Sequence, residues 1–150
     1  MQLSRPVRWV AELASFAIMI LSHNSKLGGW TGHATFRGRD VELDIDAEMW
    51  EIGPQRAAES ALEVVNQRWP EVEIALLGHP LKLYNETWAN PAQGFPTLAA
   101  PQFLDRLSLS SIAIGEACIV LYFADGELFA GHIVSVTLSK DQKATAMLEG

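Results

Sequence analysis

Cysteine is nearly absent from this chain of 150 residues, and the single thiol, Cys118, excludes an internal disulfide and a thiolate metal cage. Cys118 lies within the apolar run ACIVLYF, a setting typical of a buried and inert thiol. Long hydrophobic runs are also missing, since LASFAIMIL is far shorter than the ~20 apolar residues of a membrane-spanning helix. The sequence therefore predicts a cytoplasmic protein with no membrane partner.

Positive charge is scarce as well. Lysine and arginine total 11 residues against 18 aspartates and glutamates, which gives a formal net charge of −7. An acidic chain has no general attraction to phosphate backbones, so we expect no nucleic acid partner. Acidity suits a basic protein partner, because opposite potentials accelerate encounter, but it also simply keeps a protein soluble.

Motifs that carry known chemistry are missing from the chain. The histidines at positions 23, 33, 79 and 132 form neither an H-E-x-x-H nor an H-x-H pair, and no G-x-S-x-G is present. The glycine-rich stretch GGWTGH lacks the spacing of a phosphate-binding loop. We therefore expect no cofactor and no metal, and the sequence favours a protein that is not an enzyme without deciding the question.

Hydrophobic residues make up 49% of the chain, which is ordinary for one packed domain spanning residues 1–150. Near the N-terminus, apolar residues from Val7 to Leu21 recur with a 3.6-residue period. This pattern predicts an amphipathic helix within residues 1–25 that packs on the remainder of the domain. A strand over Ser15 to Leu21 is the alternative.

The segment WTGHATFRGRDVELDID alternates apolar and polar residues and predicts a β-hairpin that turns at Gly38-Arg39. In that register Phe36 lies opposite Val41, and His33 lies opposite Asp44. The apolar residues then share one face of the hairpin, and the acidic residues of its second strand share the other.

Residues around this hairpin are candidates for binding a partner. The acidic strand face suits a basic protein, and His33 is expected to pair with Asp44 at the surface. A flat row of carboxylates does not surround a Ca²⁺ ion, so the face predicts no metal site. Trp30 and Trp50 flank the hairpin, and one of them is a candidate exposed anchor because tryptophan is enriched at binding hot spots; core positions are the alternative. The candidate binding residues are Glu42, Asp44, Asp46, His33 and Trp30.

Helices are predicted in the middle of the chain and strands at its end. An apolar stripe from Pro54 to Trp69 predicts a helix that Pro70 ends, and helices also fit PLKLYNETWAN and PQFLDRL. EVEIALLGH fits a strand or a helix, and we prefer a helix ended by Gly78 and Pro80. The runs SSIAI, ACIVLYFA and ELFAGHIVSVTL predict three strands, the last two joined at Asp125-Gly126. The expected fold class is α+β, with an N-terminal helix and β-hairpin, a helical middle and a C-terminal three-stranded antiparallel meander.

A two-residue turn at Asp125-Gly126 places His132 in a strand opposite Ile119, on the more apolar face. A buried imidazole needs a hydrogen-bond partner, so a core histidine that ties the sheet to a loop or helix is one interpretation. The other is a histidine that lines a pocket, which makes His132 the single, weak catalytic candidate.

The stretch LYFADGELFAGH, with FLDRLSLSSIAI and LYNETWA before it, resembles the carboxy-terminal half of the bacterial domain-of-unknown-function family 2262. Asn85 and Trp88 match the N-x-x-W pair of that family. The resemblance covers roughly Lys26 to Gly150 and is most specific in the last 50 residues. It implies a cytoplasmic bacterial domain and carries no established activity.

These observations favour a small cytoplasmic bacterial domain that is a non-enzymatic, protein-binding module of the accessory or immunity type, with a basic protein as partner. The alternative is a small enzyme or ligand-binding protein with a pocket around His132. The sequence leaves the oligomeric state open.

Overall fold

The structure is a computed structural model that describes residues 17–18, 21–26 and 28–150. The strands are Ala17–Ile18 (β1), Ser22–His23 (β2), Trp30–Phe36 (β3), Arg39–Ile45 (β4), Ser108–Ile114 (β5), Cys118–Ala124 (β6), Ile133–Ser139 (β7) and Thr145–Glu149 (β8). The helices are Pro54–Gln67 (α1), Trp69–Leu77 (α2), His79–Leu83 (α3) and Ala100–Arg106 (α4), with a π-helical turn at Tyr84–Trp88 and 3-10 turns at Ala47–Trp50 and Pro91–Gln93.

The strands of the described residues form one eight-stranded sheet in the order β1-β3-β4-β5-β6-β7-β8, and β2 also pairs with β3. Strands β4 and β5 are parallel, and the other pairs are antiparallel. Because parallel neighbours need a long crossover, the four helices all lie in the connection between β4 and β5.

One face of the sheet packs against the helices. Strand β4 shows the division, because Val41, Leu43 and Ile45 are buried while Asp40, Glu42 and Asp44 between them are exposed. The buried apolar side chains of α1, α2 and α4 belong to the same cluster as the buried strand residues. We call the helix-covered side the core face and the side that carries the three acidic residues the open face.

The predicted three-stranded meander at the C-terminus is wrong, because four strands, β5 to β8, follow one another there. Strand β7 begins at Ile133, so Asp125 to His132 form a loop and Asp125-Gly126 is not a two-residue turn. His132 therefore does not face Ile119. The short terminal run after the β7–β8 turn forms β8 at the edge of the sheet.

The predicted N-terminal helix is wrong at the positions that the structure describes, because these positions form strands. Ala17–Ile18 and Ser22–His23 are strands that pair antiparallel with β3, as the alternative strand interpretation expected for the first pair. Backbone pairing with β3 overrides the helical period of the side chains there. The rest of the predicted helix lies outside the described residues.

The β3–β4 hairpin turns at Arg37-Gly38 rather than at Gly38-Arg39. Both turn residues have positive φ, 50° and 80°, as a type I′ turn requires. His33 therefore pairs with Glu42 and not with Asp44. A slip of two residues keeps every side chain on its own face, so the apolar alternation did not distinguish the two registers.

The helical middle of the chain is close to the prediction, with one difference. The helix that begins at Pro54 ends at Gln67, and Pro70 lies in the first turn of α2 instead of ending α1. A proline is tolerated there because the first helical turn has no internal partner for its missing N–H.

Candidate functional site

The open face carries a line of carboxylates along β4. Asp40, Glu42 and Asp44 are exposed on alternate positions of that strand. His33 Nδ1 lies 3.3 Å from Asp40 Oδ2, and both side chains are more than half exposed, at 52% and 71%. This pair is therefore a weak, solvent-screened contact. We call the four residues Asp40, Glu42, Asp44 and Asp46 the acidic column; Asp46 lies just beyond the end of the strand.

Apolar and small side chains flank the acidic column on the side of β5 and β6. Asp44 lies beside Ala113, which in turn lies beside Val120. In the next row Glu42 lies beside Ser111, and Ser111 pairs with Tyr122. All four of these neighbours are half-buried, so the open face combines charge with partly accessible apolar surface.

A groove of about 460 Å³ lies where the parallel strands β4 and β5 end. Its residues include Asn24, Thr31, Asp44, Asp46 and Cys118. Short residues such as Gly29, Ala113 and Gly115 also line it, and their lack of side-chain volume leaves the depression open. Parallel strands bring their carboxyl ends to one edge of a sheet, which is how the carboxylates of Asp44 and Asp46 come to line this groove.

The carboxylates at the end of the acidic column repel one another. The pKa of Glu48, in the turn after β4, is raised mainly by the negative charge of Asp46, then by a hydrogen bond with Asp46 and by the charge of Glu116. Among the described residues, no lysine or arginine lies within ion-pair distance of these three carboxylates. The end of the column is therefore a region of uncompensated negative potential.

Trp30 lines the groove, but its ring is not an exposed anchor. The ring lies edge-on to His23, with centroids 5.5 Å apart, and the residue packs half-buried against the core. Among the tryptophans that the structure describes, the exposed one is Trp50, at 67%, in the turn after β4, with Ile52 exposed by 54% two residues later. The sequence named both tryptophans as candidates for an exposed anchor, but it did not distinguish them because both flank the hairpin.

The loop after β6 is built around a buried carboxylate. Asp125 is 5% exposed, and its Oδ1 accepts a hydrogen bond from the backbone N–H of Glu127 at 3.0 Å. Its Oδ2 accepts from the N–H groups of Phe129 at 2.8 Å and Gly131 at 2.9 Å. These hydrogen bonds offset the cost of burying the Asp125 side chain, and they fix the conformation of the loop. Asp125 therefore has a structural role.

His132 ends this loop and touches the helical layer. Its Nδ1 donates a hydrogen bond to the Phe129 carbonyl at 2.6 Å, and its ring lies edge-on to Trp88 with centroids 5.8 Å apart. The groove described above does not include His132. Within the described residues the polar partner of the ring is that carbonyl, and no carboxylate lies within ion-pair distance of the ring.

Of the motif residues Asn85 and Trp88, Trp88 packs on this loop and Asn85 holds the segment before α4. The Asn85 side chain bonds both backbone groups of Leu98, accepting from its N–H at 2.9 Å and donating to its carbonyl at 3.0 Å. Trp88 stacks edge-on against Phe129, with centroids 5.7 Å apart. Two separate motifs of the sequence thus converge on one packed cluster.

Neither a metal centre nor a membrane span is found in the described part of the chain. No group of three or more histidine, cysteine, aspartate or glutamate side chains there is placed to hold a metal ion. Among the same residues no helix is both long enough and apolar enough to cross a bilayer.

Comparison with known proteins identifies one family. The sequence model of DUF2262, whose description is "Uncharacterized protein conserved in bacteria", matches residues 16–147. The match confirms the resemblance seen in the motifs and extends it over most of the chain, N-terminal to Lys26 and well beyond the carboxy-terminal half. No curated protein and no solved structure matches the chain significantly.

Proposed function

Since the chain belongs to the DUF2262 family of bacterial proteins, we propose that it is a non-enzymatic, protein-binding module of the accessory or immunity type. Its partner is a basic protein that docks on the open face. The module acts in the cytoplasm, where its single thiol stays reduced.

The acidic column is the observation that carries this proposal. Asp40, Glu42 and Asp44 stand exposed on one strand near the middle of the sheet, and Asp46 continues the line into the groove. A side chain of lysine or arginine on the partner would relieve the mutual repulsion at Asp46 and Glu48. The column therefore favours a cationic partner over an anionic one.

The surroundings of the column favour a protein over a small molecule. Tyr122 and Val120 offer half-buried apolar surface on the same face, and Trp50 projects from the turn at the end of β4. Hot spots of protein interfaces combine an aromatic anchor with a charged rim in this way. A broad sheet face matches the extent of a protein interface better than that of an enclosed ligand pocket.

A charge-reversal experiment tests the proposal. One variant replaces Glu42, Asp44 and Asp46 with lysine, and the control replaces the exposed Glu59, Glu63 and Glu86 on the helical side with lysine. The two variants change the net charge equally, so they separate the open face from overall acidity. Each tagged protein captures partners from a lysate of its source cells at low and moderate salt, and any captured protein is then purified and titrated.

We expect the wild type and the control to bind the same basic protein, with affinity that falls as salt rises. The open-face variant should lose that binding by at least about tenfold, since several charge contacts reverse at once. Equal loss in both variants would indicate non-specific attraction, and equal retention would exclude the open face as the interface.

A further inference from the structure

Strand β8 forms one edge of the sheet, and its outer side is open. It pairs with β7 alone, and within the described residues its backbone makes no other hydrogen bond. Proline and lysine, which commonly protect edge strands, are absent from Thr145–Glu149. Glu149 is the one charged residue of the strand, and an edge that is unpaired among the described residues is a template for a further strand.

The edge strand is held firmly in position at both ends. Ser135 Oγ donates to Glu149 Oε2 at 2.6 Å, and the N–H of Ala144 donates to Glu71 Oε2 at 2.7 Å. The strand thus loses little conformational freedom when a partner strand arrives, which lowers the cost of pairing.

We propose that β8 is the interface of a homodimer, in which β8 of a second copy continues the sheet antiparallel across a two-fold axis at Met147. In this register Thr145 faces Glu149 of the second copy, and Ala146 faces Leu148 of the second copy. Each Met147 faces its own equivalent. No like charges are opposed, so the strand is complementary to itself.

Exposed apolar side chains lie at the site that this pairing covers. Met147 is 54% exposed on the open face, and Ile133, on the same face of β7, is 44% exposed. On the core face the half-buried Leu148 and Ala146 extend the existing apolar cluster to the edge. Pairing brings Met147, Ala146 and Leu148 of the two copies together and removes their apolar surface from water, whereas Ile133 lies one strand further in.

The negative charge of the chain does not oppose association at this edge. Strands β5, β6 and β7 separate β4 from β8, so the acidic column lies about 19 Å away at the usual strand spacing. This distance exceeds the Debye length of about 8 Å at physiological salt. The turn before β8 carries Lys140 and Lys143 beside Asp141, so it adds no net negative charge at this edge.

Complementary charges at the two-fold axis provide the test. The variants are Met147→Lys and Met147→Glu, and the control is Ile74→Lys, which alters a still more exposed apolar residue on α2. The molar mass of each purified protein is measured by sedimentation equilibrium over a range of concentrations, and thermal unfolding verifies that each variant is folded.

We expect a wild-type dimer that dissociates on dilution, and the same behaviour for the control. Each Met147 variant alone should dissociate with a constant about tenfold higher or more, because like charges then meet across the axis. An equimolar mixture of the two variants should restore the dimer. A monomeric wild type at every concentration, or a dimer that persists in both variants alone, would overturn the proposal.

Discussion

Arg68 and Glu71 form a two-pronged ion pair across the junction of α1 and α2, with Arg68 Nη2 2.6 Å from Glu71 Oε2 and Nε 3.0 Å from Oε1. The same guanidinium donates to the carbonyls of Ser139 and Gln142, and Glu71 accepts from the N–H of Ala144. One ion pair thus joins the helical layer to the β7–β8 turn.

Replacing Glu71 with glutamine should destabilise the protein at neutral pH and much less in acid. The folded pKa of Glu71 is lowered, first by the hydrogen bond from Arg68 and then by the backbone N–H of Ala144. A carboxyl whose pKa is depressed on folding stabilises the protein above its ordinary pKa, and this contribution is lost as the pH falls through the folded value.

The measurement is urea unfolding of wild type and Glu71→Gln between pH 7 and pH 3. The gap between their free energies of unfolding should close toward the acid end. A gap that stays constant across this range would show that the charge of Glu71 contributes nothing.

Replacing Asp125 with alanine should cause a large loss of stability. Three backbone N–H groups lose their acceptor, and each buried donor left unsatisfied costs about 1–3 kcal/mol. Chemical denaturation measures the change, with Asp105→Ala on the exposed side of α4 as the control. A change for Asp125→Ala within about 0.5 kcal/mol, the usual range of surface substitutions, would contradict the structural role of this carboxylate.

Replacing Gly38 with alanine should destabilise the β3–β4 hairpin by about 1–2 kcal/mol, the cost of the left-handed conformation for a residue with a Cβ. Gly38 has φ of 80°, and a Cβ there meets no atom within 4 Å, so backbone strain is the whole effect. The exposed Ser60→Ala on α1 serves as a control. An unchanged midpoint of thermal unfolding would contradict the left-handed conformation of residue 38 in the hairpin turn.

Replacing His132 with glutamine should leave partner binding unchanged and cost about 1 kcal/mol of stability from the lost bond to the Phe129 carbonyl. His132 lies outside the groove and the acidic column, so the proposed module does not need it for docking. Calorimetric titration with the captured partner decides the point. A large loss of affinity with stability preserved would favour the alternative of a site built around His132.

The open and core faces of β4 follow directly from the chain, because alternate residues point to opposite sides of any strand. Val41 and Leu43 are buried, and Glu42 and Asp44 are exposed, as the alternation predicts. The helix α1 was similarly readable from its apolar period, whereas EVEIALLGH, which covers most of α2, fitted a strand as well as a helix. The sequence did not show which of Trp30 and Trp50 is exposed, since the exposure of each ring depends on which elements pack around it.

Local patterns in the sequence determined the helix α1, the strands β3 to β6 and which side of β4 is acidic, since these depend on neighbours within one or two turns. They did not determine the short N-terminal strands or the edge strand β8. Only the tertiary structure decided that β4 runs parallel to β5, that the hairpin turns at Arg37-Gly38, and that Asp125 organises a loop instead of a tight turn. Each of these features depends on which backbone groups form hydrogen bonds with one another. Other pairings of the same strands would keep the same apolar residues on the core face, so the apolar pattern of the sequence does not select among them. The groove at the end of β4 and β5 also depends on the tertiary structure, because its lining residues come from segments that are distant in the sequence.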